Sequence, residues 1–525
     1  MSFTLARLDV RRISVLFTAF LVAACGWSVA AQSKDSKRPP NIIVIYADDL
    51  GYGDVGAYGS QATVTPYLDA MAAGGLRFTD AHATASTCTP SRYSLLTGEY
   101  AYRRNAAILP GDAPLLIDTS RDTIASVLKR RGYATGVIGK WHLGLGNGAV
   151  DWSAGISPGP NEIGFDYSFL LPATGDRVPS VYVENGHVRG ADAADPVKVS
   201  YEKDFGVEPT GRDRPDLLRM VADDQHSDTI VNGVSRIGFM MGGKSALFVD
   251  EKFPDVWTGK AVEFMSKNKD KPFFLFFSHH DPHVPRLPHP RFKGVTTLGP
   301  RGDAIAQLDW MTGRIIAAVK ELGLEQDTLI IFSSDNGPVL DDGYEDGAVT
   351  HNRNHTPAGV LRGGKYSAFE AGTRVPTIAY WPGTIAPGGT SDALVSQVDF
   401  LRSFAALAGA KVPDGEAPDS RNLLDAFLGH DPQGRQSLLY DSNFGMSLRQ
   451  GNWKYIHPSD KANVPAVLLN KGIESGGSNE PQLYDLSVDI GETSNVAGAH
   501  PKKVAAMQEL LLQIKVRSER EVLGE

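Results

Sequence analysis

The sequence predicts an α/β fold: a large sheet flanked by helices, followed by a smaller C-terminal α+β subdomain. Three observations carry this. Short apolar runs such as NIIVIYA and FFLFF offer no polar face, as expected of strands buried on both sides. Between them lie longer segments with apolar residues at helical spacing. Past residue 430 the pattern changes to short strands separated by turns and closed by one amphipathic stretch.

The first 31 residues have a basic front (Arg7, Arg11, Arg12), an apolar run from Ile13 and small residues near Ala31, the layout of an export signal. Two end points stay open: cleavage after Ala31, or lipidation of Cys25 in the tetrad Val22-Ala23-Ala24-Cys25, which resembles a bacterial lipoprotein box. The expected location is outside the cytoplasm, periplasmic or tethered to the outer membrane as a lipoprotein. Residues 32–40 read as a polar tether, 41–430 as the main domain and 431–525 as the C-terminal subdomain.

Within the main domain, strands are expected in 41–49, 133–142, 272–283 and 328–337. Helices are expected in 122–132, capped by Asp122, in 255–269 after Pro254, and in 304–323, ended by Gly323. The Trp, Met and Leu stripes of these helices suit a core, and the Lys/Asp run at 267–271 suits a solvated helix end. In the subdomain, 437–443, 446–457 and 481–489 read as antiparallel strands and 501–522 as a closing helix. No later stretch is long and apolar enough to span a bilayer.

Removing the leader takes three Arg and one Asp, moving the formal charge from −9 to −11. A net acidic chain argues against a nucleic-acid groove, so positive charge for an anionic substrate has to be gathered locally. Cysteines of exported proteins normally pair, yet loss or lipidation of Cys25 leaves Cys88 as the single remaining thiol. Its neighbours Thr89, Pro90, Ser91 and Arg92 are polar or turn-forming, which argues against a plain core cysteine.

The predicted strands end in chemistry. The first runs into Asp48 and Asp49, the second into Lys140 and His142, the third into His283, and the fourth into Asp335 and Asn336. In open α/β sheets sites form beyond the carboxyl ends of the strands, so distant residues can converge there. Three carboxylates and an amide suit a hard divalent cation, Ca²⁺ ahead of Mg²⁺, and disfavour zinc. Thr89 and Pro90 fit a helix start, placing Cys88 at its positive end with Arg92 on the first turn. With Lys140, His142, His283 and Lys365 these groups suit a tetrahedral anion. His279 and His280 read as strand-end or wall residues.

Cys88-Thr-Pro-Ser-Arg followed by Leu-Leu-Thr-Gly, residues 88–98, resembles the type I, formylglycine-dependent sulfatase signature, and GYATGVIGKWHLG (132–144) resembles that family's second signature. The likeness continues through DPHVP, SSDNG, LRGGKYSAFEAGTRVP, RQGNWKYI and LYDL, across nearly the whole mature chain. It implies an arylsulfatase-like hydrolase with an alkaline-phosphatase-like fold. It also implies that a separate maturation enzyme oxidises Cys88 to formylglycine (3-oxoalanine), reading Thr89, Pro90 and Arg92. A thiolate is soft and oxidisable, whereas an aldehyde hydrate keeps a second hydroxyl with which to expel sulfate. Carried over by motif, Asp48, Asp49, Asp335 and Asn336 bind Ca²⁺ with the modified Cys88 near the ion. Arg92 and Lys140 orient the hydrate, His142 is the base, and Lys140, His283 and Lys365 hold the substrate sulfate, the last two also assisting the leaving alcohol.

Substrate choice is expected from loops at the mouth: residues 173–190, with Asp176, Arg177, Glu184 and His187, and residues 341–355. The acidic DDGYEDG run lacks the spacing of an EF-hand loop and is assigned no second calcium. The expected substrate is an O-sulfate of a glycan or its oligosaccharides, with small aryl sulfates as artificial substrates. The alternatives are a phosphate or phosphonate ester hydrolase on the same scaffold, and a noncatalytic glycan binder in which Cys88 stays a thiol.

Overall fold

Ten strands make the central sheet of this computed structural model, which describes residues 38–459 and 472–524. The leader, both of its proposed end points and most of the tether lie outside the described residues. In chain order the strands are β1 (Asn41–Ala47), β2 (Leu76–Phe78), β3 (Ala134–Lys140), β4 (Tyr167–Leu171), β5 (Val183–Glu184), β6 (His187–Val188), β7 (Phe273–Ser278), β8 (Thr328–Ser334), β9 (Thr377–Tyr380) and β10 (Gly389–Ser391). Their spatial order is β10-β2-β9-β8-β1-β7-β3-β4-β5-β6. The middle, β8-β1-β7-β3-β4, is parallel throughout. All seven residues of β1, β3 and β8 are buried, which is why these strands read as continuous apolar runs.

Alternation along β1 divides the core. Ile42, Val44 and Tyr46 face one layer, and Ile43, Ile45 and Ala47 the other. The first layer holds α2 (Cys88–Thr97), α3 (Ile124–Lys129) and α6 (Phe400–Leu407). The second holds α1 (Pro66–Gly74), α4 (Phe253–Asn268) and α5 (Gly299–Glu321). One predicted cap differs: Thr123, not Asp122, caps α3, its hydroxyl accepting the Ser126 N–H at 3.2 Å. Asp122 instead accepts hydrogen bonds from Ser126 and Arg130.

A second, antiparallel sheet follows the large one, with strands β11 (Ser437–Ser442), β12 (Gly445–Gln450), β13 (Trp453–Ile456) and β14 (Gln482–Asp485) in that order. Helix α7 (Pro501–Val516) buries Met507, Leu511 and Ile514 against it. Among the described residues no helix is long and apolar enough to cross a membrane.

Candidate active site

The parallel strands deliver their terminal residues to one place because neighbouring ends are stitched together. Asp48 N–H donates to Asp281 O at 3.1 Å, Asp335 N–H to Ala47 O at 3.1 Å, and His279 N–H to Tyr46 O at 2.8 Å. At Gly139, with φ near 107°, a side chain would collide with Ser278 O at 1.9 Å, so only glycine lets β3 close on β7 just before Lys140. Helix α2 starts at Cys88 itself, and all ten of its residues are buried, so its N-terminus projects into the interior. Three non-glycine residues here adopt left-handed backbone: Asp49 (φ 62°), His142 (φ 56°) and Tyr366 (φ 73°). Such conformations cost energy and gather at functional sites.

The ten residues assigned to the site in the sequence are all buried, with exposures of 2% or less, and eight of them form one network. Lys140 Nζ donates to Asp48 Oδ2. Arg92 donates through Nε and Nη2 to Asp335 Oδ2, at 3.0 and 2.7 Å, and its Nη2 lies 3.9 Å from Asp48 Oδ2. Asn336 Nδ2 donates to Asp49 Oδ1 at 2.7 Å, and Lys365 Nζ to Asp49 Oδ2 at 2.8 Å. His283 Nε2 stands 3.8 Å from that same Asp49 oxygen. The hydroxyl of Thr89, next to Cys88, donates to His142 O at 3.0 Å.

Burial, reinforced by Asp335, pushes the Asp48 carboxyl well above the usual range, against the pull of Lys140. Burial also raises Asp49, with Lys365 opposing. Asp335 resists burial because Arg92, then Lys140, hold it below that range. Cys88 is raised by burial and drawn back by the positive charges of Lys140 and Lys365. Burial, with Lys140 and Arg177, holds His142 far below an ordinary histidine, and burial with Lys365 does so for His283.

Hydrogen-bond partners set the tautomers of the two site histidines. His142 Nε2 lies 2.9 Å from Leu109 O, so a neutral ring carries its proton there and leaves Nδ1, buried and unpartnered, with a lone pair. His283 Nδ1 lies 2.7 Å from Val284 O, which leaves its Nε2 as the acceptor. His279 and His280 are buried behind the site, both pushed down to about 3 by burial, the latter also by Lys140, with His280 edge-on to His283 at 5.5 Å.

The oxygen set fits a cation. Asp48 Oδ1 and Asn336 Oδ1 are buried without a hydrogen-bond partner, and Asp48, Asp49 and His283 each offer a ligand atom within 4.8 Å of the others. Both Arg92 contacts fall on Asp335 Oδ2, leaving Oδ1 with the Asp49 N–H at 3.3 Å. Buried, mutually repelling carboxylates with free oxygens suit a hard divalent ion.

Of the four residues named in the 173–190 loop, Asp176 and Arg177 reach the site. Arg177 donates through Nη1 to Thr174 Oγ1 at 3.0 Å and Asp176 Oδ2 at 2.7 Å, and its charge acts on Cys88 and His142. Glu184 and His187 do not: they pair with each other in the β5–β6 hairpin at the sheet's far edge. Sequence reasoning missed Asp342, which accepts Lys365 Nζ at 2.7 Å and Tyr366 OH at 3.1 Å. Its segment, 341–355, is expected at the mouth as a substrate loop, but nothing in the sequence singles out Asp342 as a partner of Lys365.

An alkaline-phosphatase-like sheet whose strand ends carry a buried carboxylate cluster, a helix N-terminus and converging cations defines a hydrolase of tetrahedral anionic esters. The Sulfatase family model matches residues 40–410, and the chain belongs to that family. It is 48% identical to an N-acetylgalactosamine-6-O-sulfatase of Bacteroides thetaiotaomicron, over 95% of this chain and 97% of that protein. Human arylsulfatase A is 34% identical over 94% of this chain and 89% of its own. A solved B. thetaiotaomicron sulfatase, described in connection with metabolism of multiple glycosaminoglycans, superposes with a TM-score of 0.89 at 49% identity, covering 91% of this chain and all of that one. The protein is a sulfatase. The phosphonate monoester hydrolase of Agrobacterium radiobacter, at 17% identity and a TM-score of 0.54 over 91% of this chain and 95% of its own, shares the fold.

Proposed function

We propose that this sulfatase removes the 6-O-sulfate of N-acetylgalactosamine in a sulfated glycan or its oligosaccharides, outside the cytoplasm, using Cys88 converted to formylglycine by a maturation enzyme. The observation that supports this most is the setting of Cys88. It opens a buried helix and feels the charges of Lys140 and Lys365, in a chain 48% identical, over nearly its whole length, to an N-acetylgalactosamine-6-O-sulfatase.

Asp48, Asp49, Asp335 and Asn336 would hold Ca²⁺, which supplies positive charge to a sulfate oxygen and acidifies an adjacent hydroxyl. The rest falls to the chain's own side chains. Arg92 braces Asp335, and Lys140 braces Asp48. His142 takes the hydroxyl proton at Nδ1, the nitrogen left free by its Leu109 contact. Lys365 gives a hydrogen bond to the departing alcohol oxygen, and burial of the whole set excludes water. Arg177 uses only Nη1 among the described residues, which suits its remaining N–H groups to sugar oxygens near Cys88.

Two measurements on the protein made in a host with a maturation system test this reading. Mass spectrometry of the Cys88 peptide should show the thiol replaced by an aldehyde or its hydrate. Sulfate release from defined sulfated sugars, with aryl sulfate and aryl phosphate alongside, should favour 6-sulfated N-acetylgalactosamine. An unmodified thiol in active protein overturns the nucleophile. Preference for another sugar, another position or the phosphate ester overturns the substrate.

A further inference from the structure

Lys365 is held by two carboxylates, and only Asp49 belongs to the oxygen cluster. The other, Asp342, is 6% exposed and stands in the loop after β8. Its two oxygens are divided: Oδ2 accepts Lys365 Nζ at 2.7 Å and Oδ1 accepts Tyr366 OH at 3.1 Å. These donors are consecutive in sequence, and Tyr366 has left-handed backbone (φ 73°), with its N–H fixed on Ser86 O at 2.8 Å. The Lys365 ammonium also lies over the Tyr366 ring, 5.4 Å from its centroid.

The loop carrying Asp342 is clamped. Arg286, buried in the turn after His283, donates to Val339 O at 3.0 Å, Leu340 O at 2.8 Å and Asp346 at 2.7 Å, and its Nε reaches back to Pro282 O at 2.8 Å. Tyr344 OH ties the same loop to Ser235 O at 2.7 Å. Asp342 is therefore a fixed acceptor presented to a flexible four-carbon stem. A lysine lacks the planar fork that aims an arginine, so its direction is set by its acceptors. If Asp49 turns its oxygens to a cation, Asp342 remains the protein group that anchors Nζ.

We propose that Asp342 is a positioning residue for ester cleavage: it fixes the Lys365 ammonium and the Tyr366 hydroxyl as one unit, so that Lys365 meets the oxygen that leaves with the alcohol. This rests on the reading of Lys365 as the donor to that oxygen. The alcohol of a sugar is a poor leaving group and needs this hydrogen bond, whereas a nitrophenol leaves with little help. Loss of Asp342 should thus be felt in proportion to the basicity of the leaving group.

The test is a leaving-group series of alkyl and aryl sulfates assayed with wild type, Asp342→Ala, Asp342→Asn, Lys365→Ala and the double variants, after far-UV circular dichroism and thermal melts confirm folding. Expected is a fall in kcat at least about tenfold greater for alkyl than for nitrophenyl sulfate, with KM moving less than about threefold. In the Lys365→Ala background the same substitutions should change kcat less than about twofold, because a residue acting through Lys365 has nothing left to position. Equal losses across the series, the full loss retained in the Lys365→Ala background, or no loss would each overturn the proposal. Should Asp342→Ala fail to fold, Asp342→Asn keeps the shape and an acceptor while removing the charge, and its outcomes are read the same way. The series contains no particular sugar, so it stands or falls separately from the assignment of 6-sulfated N-acetylgalactosamine.

Discussion

Arg92 and Asp335, far apart in the chain, meet in the interior with two N–H groups of one directed at a single oxygen of the other, at 3.0 and 2.7 Å. Neither is exposed, so each charge depends on its partner. Arg92→Ala leaves the Asp335 carboxylate buried without that counter-charge and should lower stability by about 3–5 kcal/mol. Arg92→Lys restores a charge without the fork and should fall between the two. Urea unfolding gives the values; an Arg92→Ala midpoint equal to wild type would show that Asp335 is held by something else.

The carboxylate cluster predicts a calcium response visible without any assay of turnover. Asp48 and Asp49 are raised by burial and by like charge, and a cation relieves both. Chelation should lower the melting temperature as well as activity, and added Ca²⁺ should restore both. At a hundredfold excess over Kd the stabilisation amounts to about 2.7 kcal/mol. Asn336→Ala, which removes a buried unpartnered oxygen, should weaken the shift. Melting curves that superimpose in chelator and in Ca²⁺ would mean the cluster is balanced by Lys140, Arg92 and Lys365 alone.

Asp281 gives a pH dependence of known sign. Burial pushes its carboxyl up to about 7, against a single stabilising hydrogen bond from Gln307 at 2.9 Å. In the unfolded chain the group ionises near pH 4, so as pH rises from about 4 to 7 only the unfolded state loses its proton. The protein then loses stability at this residue by about 1.4 kcal/mol per pH unit. Asp281→Asn, close in shape to the neutral acid, lacks this loss. Its stability relative to wild type should therefore climb across that interval in denaturant titrations. A constant difference would show that Asp281 is ionised in the folded protein throughout.

Much of this site was legible in the sequence because buried parallel strands have a recognisable composition and hand their next residues to a common edge. Asp48, Lys140 and Asp335 follow that rule, while His283 lies five residues past the end of β7, in the turn braced by Arg286. Asp342 does not: it sits on no strand, and its meaning depends on Arg286 clamping its loop and on the left-handed turn at Tyr366, both set by long-range packing. Glu184 and His187 were weighed as mouth residues because a two-residue strand is too short to show period-two alternation. Thr123 displaced Asp122 as a cap because one residue of phase decides which oxygen reaches the free N–H of the first turn.

Glu370 predicts how the two sheets hold together. It follows the Lys365–Tyr366 turn and is fully buried, with Arg449 at 2.9 Å, Arg374 at 3.2 Å and Lys454 at 3.2 Å. Arg449 and Lys454 lie on the second sheet, while Arg374 stands three residues before the start of β9 of the first. Burial alone would raise the Glu370 carboxyl, but Arg449, then Lys454, hold it far below the usual carboxylate range. A depressed pKa contributes stability that is fully present above the unfolded value near 4 and is lost as pH falls toward the folded one. Glu370→Gln strands buried cations and should cost about 3–5 kcal/mol at pH 7. The deficit should narrow on acidification below about pH 4, where wild type begins to lose the same charge. Denaturant unfolding at pH 7 and in mild acid measures both. A deficit of equal size at the two pH values would mean that the carboxylate's shape and hydrogen bonds, including its 3.2 Å contact with Tyr440 OH, join the sheets rather than its charge.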